Sequence, residues 1–253
     1  MVLLALLILP NITGCMHIQV NPAYSYSTSA IVTNAHRIHS LFAYILRHFP
    51  PLAFPASRIC VKIPSTWEGL QACKELEAKG IKTLATTLFS LEQAALASWY
   101  DCTYIAPYVN ELKIHFEHGY TDPSPNFDVV TRSQRMYNQT GFPTKTLPAS
   151  LTTVEECMRL AGASHITIAP ALLRELASTE YVEGDPRWAS DFDKEEKDED
   201  FYTVGSVNEE AVFRMTLTRS DGGKQEAKLV SVSRTTACMT SQLIGGPGHQ
   251  HLL

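Results

Sequence analysis

No apolar run in the sequence is long enough to cross a bilayer: the longest, Met1–Leu9, ends at Pro10, where a span needs about 20 residues. In composition it is similar to the h-region of a signal peptide, and Asn11-Ile12-Thr13 and Asn138-Gln139-Thr140 are formal glycosylation sequons. No basic residue precedes it, as a secretion signal would require, so a cytoplasmic protein without a membrane partner is expected. Basic charge is also scarce. The net charge of -5 equals that of residues 191–200 alone, which hold seven acids and two lysines, so the rest of the chain is neutral. With no basic stripe to meet a phosphate backbone, nucleic acid is not an expected partner. The six cysteines form no C-x-x-C pair and read as free thiols of a reducing compartment. The pairs His36/His39 and His115/His118 lack acids or thiols at ligand spacing, so no metal is expected, and no other cofactor is. What is present, 45% hydrophobic and 19% charged residues, is the composition of a soluble globular protein. At 253 residues, one α/β barrel or two smaller domains would each bury a sizeable core.

From residue 59 onward, short β-branched runs alternate with capped amphipathic stretches. Arg58–Ile63 reads as a strand, and Ser65-Thr66-Trp67-Glu68 as a capping box for a helix carrying Leu70, Cys73 and Leu76, with Gly80 as its stop. The unit recurs in Lys82–Leu88 with Ser90-x-x-Gln93 and in Thr103–Ala106. It returns in a weak strand, Thr144–Ala149, with a helix from about Thr153 to Ala161, and in His165–Ala169 before the helix Ala171–Ser178. Upstream, Met16–Val20 reads as a strand and Ser29–Phe49 as a helix. Successive β–α units predict parallel strands with helical crossovers. No G-x-G-x-x-G follows a strand and no G-x-x-x-x-G-K-[ST] occurs, which favours a barrel over a nucleotide-binding open sheet. The count is six strands, two short of eight.

On the strand at 59–63, Cys60 and Lys62 share one face while Ile59, Val61 and Ile63 face the helices. Lys62 therefore points into the barrel near the strands' C-terminal ends, where barrel enzymes place their chemistry. Desolvation there would free the amine to attack a carbonyl.

The stretch Ile59-Cys-Val-Lys-Ile-Pro-Ser-Thr-Trp-Glu-Gly-Leu-Gln-Ala-Cys-Lys-Glu-Leu76 resembles the active-site signature of the transaldolases, with Lys62 in the place of their Schiff-base lysine. The similarity continues through Thr87–Ala94, Ile105–Val109 and Leu160–Leu176, and more loosely through Val20–Thr28. It implies a (β/α)8 TIM-barrel-like domain and a class I, metal-free enzyme of carbohydrate metabolism. In that family the lysine forms an imine with a ketose and passes a dihydroxyacetone unit to an aldehyde acceptor. The common pair is sedoheptulose 7-phosphate and glyceraldehyde 3-phosphate, in the pentose phosphate pathway. The partner implied is a sugar or sugar phosphate, and a homo-oligomer is compatible with two open sheet edges.

Set against that family, the sequence departs at several places. The resemblance implies an N-terminally shortened, incomplete barrel, with the first two βα units missing and Met1–Leu9 forming the end of a barrel helix. Gln19 stands where the family has a strand-three carboxylate, Leu84 where it has an asparagine, Ala106 where it has a serine, and Glu111 and Thr152 where it has phosphate-holding arginines. Thr86 is kept, and the aromatic of strand six is Tyr108. The candidate catalytic set is therefore Lys62, Thr86, Tyr108 and Gln19. An aldolase acting on an unphosphorylated substrate in a specialised biosynthetic pathway is one alternative; an inactive family member or truncated gene product is another. The whole chain, 1–253, is expected to be one domain, with an acidic loop at about 184–205 and a disordered tail at about 245–253.

Overall fold

A computed structural model describes residues 2–48, 55–194 and 207–244. Helix α1 (Val2–Ile8) leads into strand β1 (Met16–Gln19), and helix α2 (Thr28–His48) follows. Then come β2 (Ile59–Pro64), α3 (Trp67–Glu77), β3 (Lys82–Leu88), α4 (Leu91–Trp99), β4 (Tyr104–Pro107), α5 (Phe127–Thr140) and β5 (Lys145–Thr146). The remaining helices are α6 (Val154–Arg159), α7 (Pro170–Ser178), α8 (Glu210–Arg219) and α9 (Lys224–Ile244). The strands form one parallel sheet in the order β1-β2-β3-β4-β5. Among the described residues β1 and β5 are its edges, so the barrel-type sheet is not closed.

The alternation along β2 decides which side is core. Ile59, Val61 and Ile63 are buried with Ile31, Ala35, Ile38 and Phe42 of α2 and with Leu70, Cys73 and Leu76 of α3. Cys60 faces the other way, in a small cluster with Leu84, Ala106 and Leu147. The crossover helices thus cover the convex face, and the concave face holds the polar residues. Close approach of α3 to β2 depends on Gly69, where a Cβ would stand 1.9 Å from the Pro64 carbonyl oxygen.

Several local expectations change. The N-cap of α3 is Thr66, whose hydroxyl accepts from the Gly69 amide, while the Ser65 hydroxyl donates to the Thr86 carbonyl across the sheet at 2.8 Å. The box at Ser90 forms as expected, with Gln93 closing it. Among the described residues five strands are found rather than six. The segment 165–169 lies alongside β5, with the His165 and Thr167 amides donating to the Thr146 and Pro148 carbonyls at 3.0 and 2.9 Å. The ladder fails because Pro148 has no N–H to return, and Ser150, at φ 67, turns away from it. Helices α8 and α9 go beyond the sequence pattern, which ended at Ser178.

In the acidic run, Asp191 is buried rather than solvated, accepting from Arg159 at 2.8 Å and from Lys194 at 2.5 Å. Most of that run, and the tail after Ile244, lie outside the described residues. Among the described residues no helix is long and apolar enough to cross a membrane.

Candidate active site

Parallel register sets the floor plan of the concave face. Gln19 is paired with Lys62, Lys62 with Leu84, and Leu84 with Tyr104; one step further along, Pro64 is paired with Thr86 and Thr86 with Ala106. Residues paired across parallel strands face the same side, so Gln19, Lys62 and Thr86 share a surface. Tyr108 follows the end of β4, held by its amide to the Leu88 carbonyl at 2.9 Å and by a bridge to Ala149. The Lys62 amine lies 5.8 Å from the centroid of the Tyr108 ring, which also packs edge-on against Phe89 at 5.7 Å. All four sequence-derived candidates therefore line one surface at the C-terminal half of the sheet.

Two features mark this surface. The Thr86 hydroxyl is fully buried and has no hydrogen-bond partner among the described residues. Such a group costs about 1–3 kcal/mol unless something satisfies it. Beside it Thr87 adopts φ 54, in the left-handed region that β-branched residues avoid, where the β3–β4 register shifts. Strain of that kind, of order 1–3 kcal/mol, collects at functional sites. Lys62 and Gln19 are half-buried, and among the described residues Lys62 enters no ion pair.

Of the positions that depart from the resemblance, Gln19, Leu84 and Ala106 lie on this floor, and Glu111 and Thr152 lie in the segments that follow β4 and β5. Glu111 takes a hydrogen bond from the Tyr120 hydroxyl at 3.2 Å and stands 4.0 Å from Lys228 of α9, whose amine also meets Asp122 at 3.2 Å. Thr152 donates to Glu156 at 3.0 Å. Lys228 and Asp122 are buried against each other, so of these three charged groups Glu111 is the one open to an arriving ligand.

Sequence reasoning missed three rings on the same face. His17 lies two residues before Gln19 and is paired with Cys60. Its ring stands 5.3 Å from Tyr104, which stands 5.4 Å from His165. Crowding by the concave wall, then the charges of Lys62 and His165, push the His17 imidazole down to about 4. Burial and then Lys145 also lower His165. Alternation alone would have put His17 on the face of Gln19; the long-range contact to Tyr104 had no local signal.

A parallel βα sheet with crossover helices on one face, and a lysine on the other near the strand ends, defines a protein of the barrel-type α/β class. More particularly, the chain belongs to the transaldolase/fructose-6-phosphate aldolase family, whose model matches residues 2–220. It is 32% identical to a transaldolase of Chlamydia pneumoniae over 219 residues, covering 82% of this chain and 64% of that protein. A transaldolase of Alteromonas mediterranea is 34% identical over 174 residues (66% of this chain, 52% of the relative), and one of Shewanella frigidimarina 33% over 178 (68% and 54%). The chain thus spans about half to two thirds of the length of these relatives.

Proposed function

We propose that this chain carries a class I aldol-transfer reaction in which Lys62 is the nucleophile. The observation that bears most weight is the position of Lys62, on the concave face between Gln19 and Leu84 with its amine beneath the Tyr108 ring. The unprotonated amine adds to a ketose carbonyl and the carbinolamine loses water, leaving an iminium. Removal of the C4 hydroxyl proton then breaks the C3–C4 bond; its electron pair moves to the iminium nitrogen, giving an enamine and a free aldehyde. The enamine adds to an acceptor aldehyde, and water releases the new ketose from Lys62. In this reading Tyr108 exchanges the proton, Gln19 orients a water, and the Thr86 hydroxyl finds its missing partner on the substrate. A sugar-phosphate reaction of cytoplasmic carbohydrate metabolism is the setting the family supports.

One observation favours an unphosphorylated substrate at the mouth: Glu111 is partly exposed there, while Lys228 and Asp122 are buried against each other. Borohydride reduction in the presence of dihydroxyacetone or fructose 6-phosphate tests the nucleophile. The expected result is a covalent adduct on the peptide carrying Lys62 that Lys62→Ala abolishes. A folded sample giving no Lys62-dependent adduct with either ketose would leave an inactive family member as the reading. Comparison of the two ketoses addresses the phosphate.

A further inference from the structure

The concave face has a charge of its own, opposite to that of the chain. Its strand positions are His17 and Gln19 on β1, Cys60, Lys62 and Pro64 on β2, Lys82, Leu84 and Thr86 on β3, Tyr104 and Ala106 on β4, and Lys145 on β5. None is an acid, although the whole chain carries a net -5. Lys145 faces inward because its neighbour Thr146 turns outward to bond Gln134 of α5. His165 lies beside β5 through its amide bond to the Thr146 carbonyl and completes the floor against Tyr104.

Among the described residues neither Lys82 nor Lys145 enters an ion pair. The Lys82 amine touches only the Cys15 sulfur, at 3.9 Å, and the Tyr104 hydroxyl reaches the same sulfur at 3.9 Å, weak contacts for such donors. The nearby Glu77 carboxylate is engaged elsewhere than with these lysines: one oxygen accepts from the amides and hydroxyls of both Thr83 and Thr103 at 2.6–3.0 Å. The floor therefore gathers two lysines, a phenol and two imidazoles, with no ion pair to either lysine among the described residues. A concave wall lined by one sign of charge focuses the field and concentrates counter-ions.

We propose that this floor, toward the N-terminal ends of the strands and one layer below Lys62, binds a small oxyanion: phosphate, or the phosphoryl group of a sugar phosphate. Lys82 and Lys145 supply charge, and the N–H groups of His17 and His165 with the Tyr104 hydroxyl supply oriented donors. The site is separate from the acidic mouth at Glu111 and does not depend on imine chemistry at Lys62. Its proton linkage follows: an anion beside the two imidazoles stabilises their charged forms, so occupancy raises the pKa of both.

The test is a titration of the full-length protein with inorganic phosphate, fructose 6-phosphate and fructose, followed through the imidazole resonances of His17 and His165. These are assigned with His17→Asn and His165→Asn. Saturable shifts with the two phosphates and none with fructose are expected. Tighter binding of the sugar phosphate identifies the phosphoryl group as the ligand, and equal affinity identifies free phosphate. Lys82→Gln with Lys145→Gln should weaken binding at least tenfold, and Lys145→Gln alone, an exposed position with little bearing on folding, should weaken it severalfold. Lys62→Ala should leave binding in place, so loss of borohydride trapping and loss of this site are read separately. No saturable shift, or undiminished affinity in the Lys145→Gln protein, overturns the proposal.

Discussion

At position 19 an amide faces Lys62 across the β1–β2 ladder. An amide orients water but accepts no proton at neutral pH, so the proposed cleavage lacks a carboxylate base at this point. Gln19→Glu places one there without changing side-chain length. Aldol cleavage of fructose 6-phosphate should rise, by about 10²-fold if proton transfer limits the rate. An unchanged or lower kcat in a folded variant would remove Gln19 from the proton path. His17 gives a second prediction, in stability. Its folded pKa of about 4 lies below the ordinary 6.5, so between those values the unfolded chain binds the extra proton. The stabilising contribution is full above about pH 6.5 and is lost as pH falls through about 4. Urea midpoints for the native protein should drop across that window more than those of His17→Asn; parallel curves would show that the imidazole is not perturbed.

At the scale of elements, the contact between α3 and β2 turns on one missing methyl group. A Cβ at Gly69 would lie 1.9 Å from the Pro64 oxygen, and the obstacle is backbone, which has no rotamer to change. Gly69→Ala should therefore push α3 off the strand that carries Lys62, costing about 1–3 kcal/mol and lowering activity more than the stability loss alone explains. Chemical denaturation together with borohydride trapping would check both parts. Elements of this kind were legible where the signal is local. Ile59–Pro64 alternates with period two, Ser90 and Gln93 form their box, and Gly80 stops its helix as read. Thr66 displaced Ser65 as the cap because Ser65 is taken by Thr86, 21 residues away, a partner no local pattern discloses. The 165–169 segment has strand composition, but Pro148 on the neighbouring chain segment removes its ladder. Lys62 was legible through a motif, whereas His17, Tyr104 and His165 meet only because three separate strand regions share one face.

For the whole molecule, long-range contacts lie in a region the sequence pattern left blank. Helix α9 crosses to the turn Pro22–Tyr24 and to β3, and it brings Lys228 under the segment following β4. The Lys228 amine, about 5% exposed, donates to the Ser124 carbonyl at 2.9 Å and to Asp122 at 3.2 Å, 106 positions away. Asp122 in turn accepts from the Glu111 and Ser124 amides at 2.8 Å each, so one buried ion pair fixes the loop at the mouth to helix α9. Breaking a buried pair from one side leaves an uncompensated charge, which costs about 3–5 kcal/mol, far more than an exposed pair would. Lys228→Met should show that loss in urea denaturation, with Glu111 adding repulsion toward Asp122. Adding Asp122→Asn removes the stranded charge and should recover a good part of it, because the asparagine oxygen still accepts from the two amides. If Lys228→Met costs less than about 1 kcal/mol, α9 is held by its other contacts, Leu229 and Val232 among them, and the pair serves only to set the charge at the mouth. The two outcomes also predict different substrates. A loop pinned by the pair keeps Glu111 facing an incoming phosphate and disfavours it. A loop released in Lys228→Met lets Glu111 swing out to solvent, so the preference for dihydroxyacetone over fructose 6-phosphate in trapping should narrow in that variant if the ion pair is what holds the acid in place.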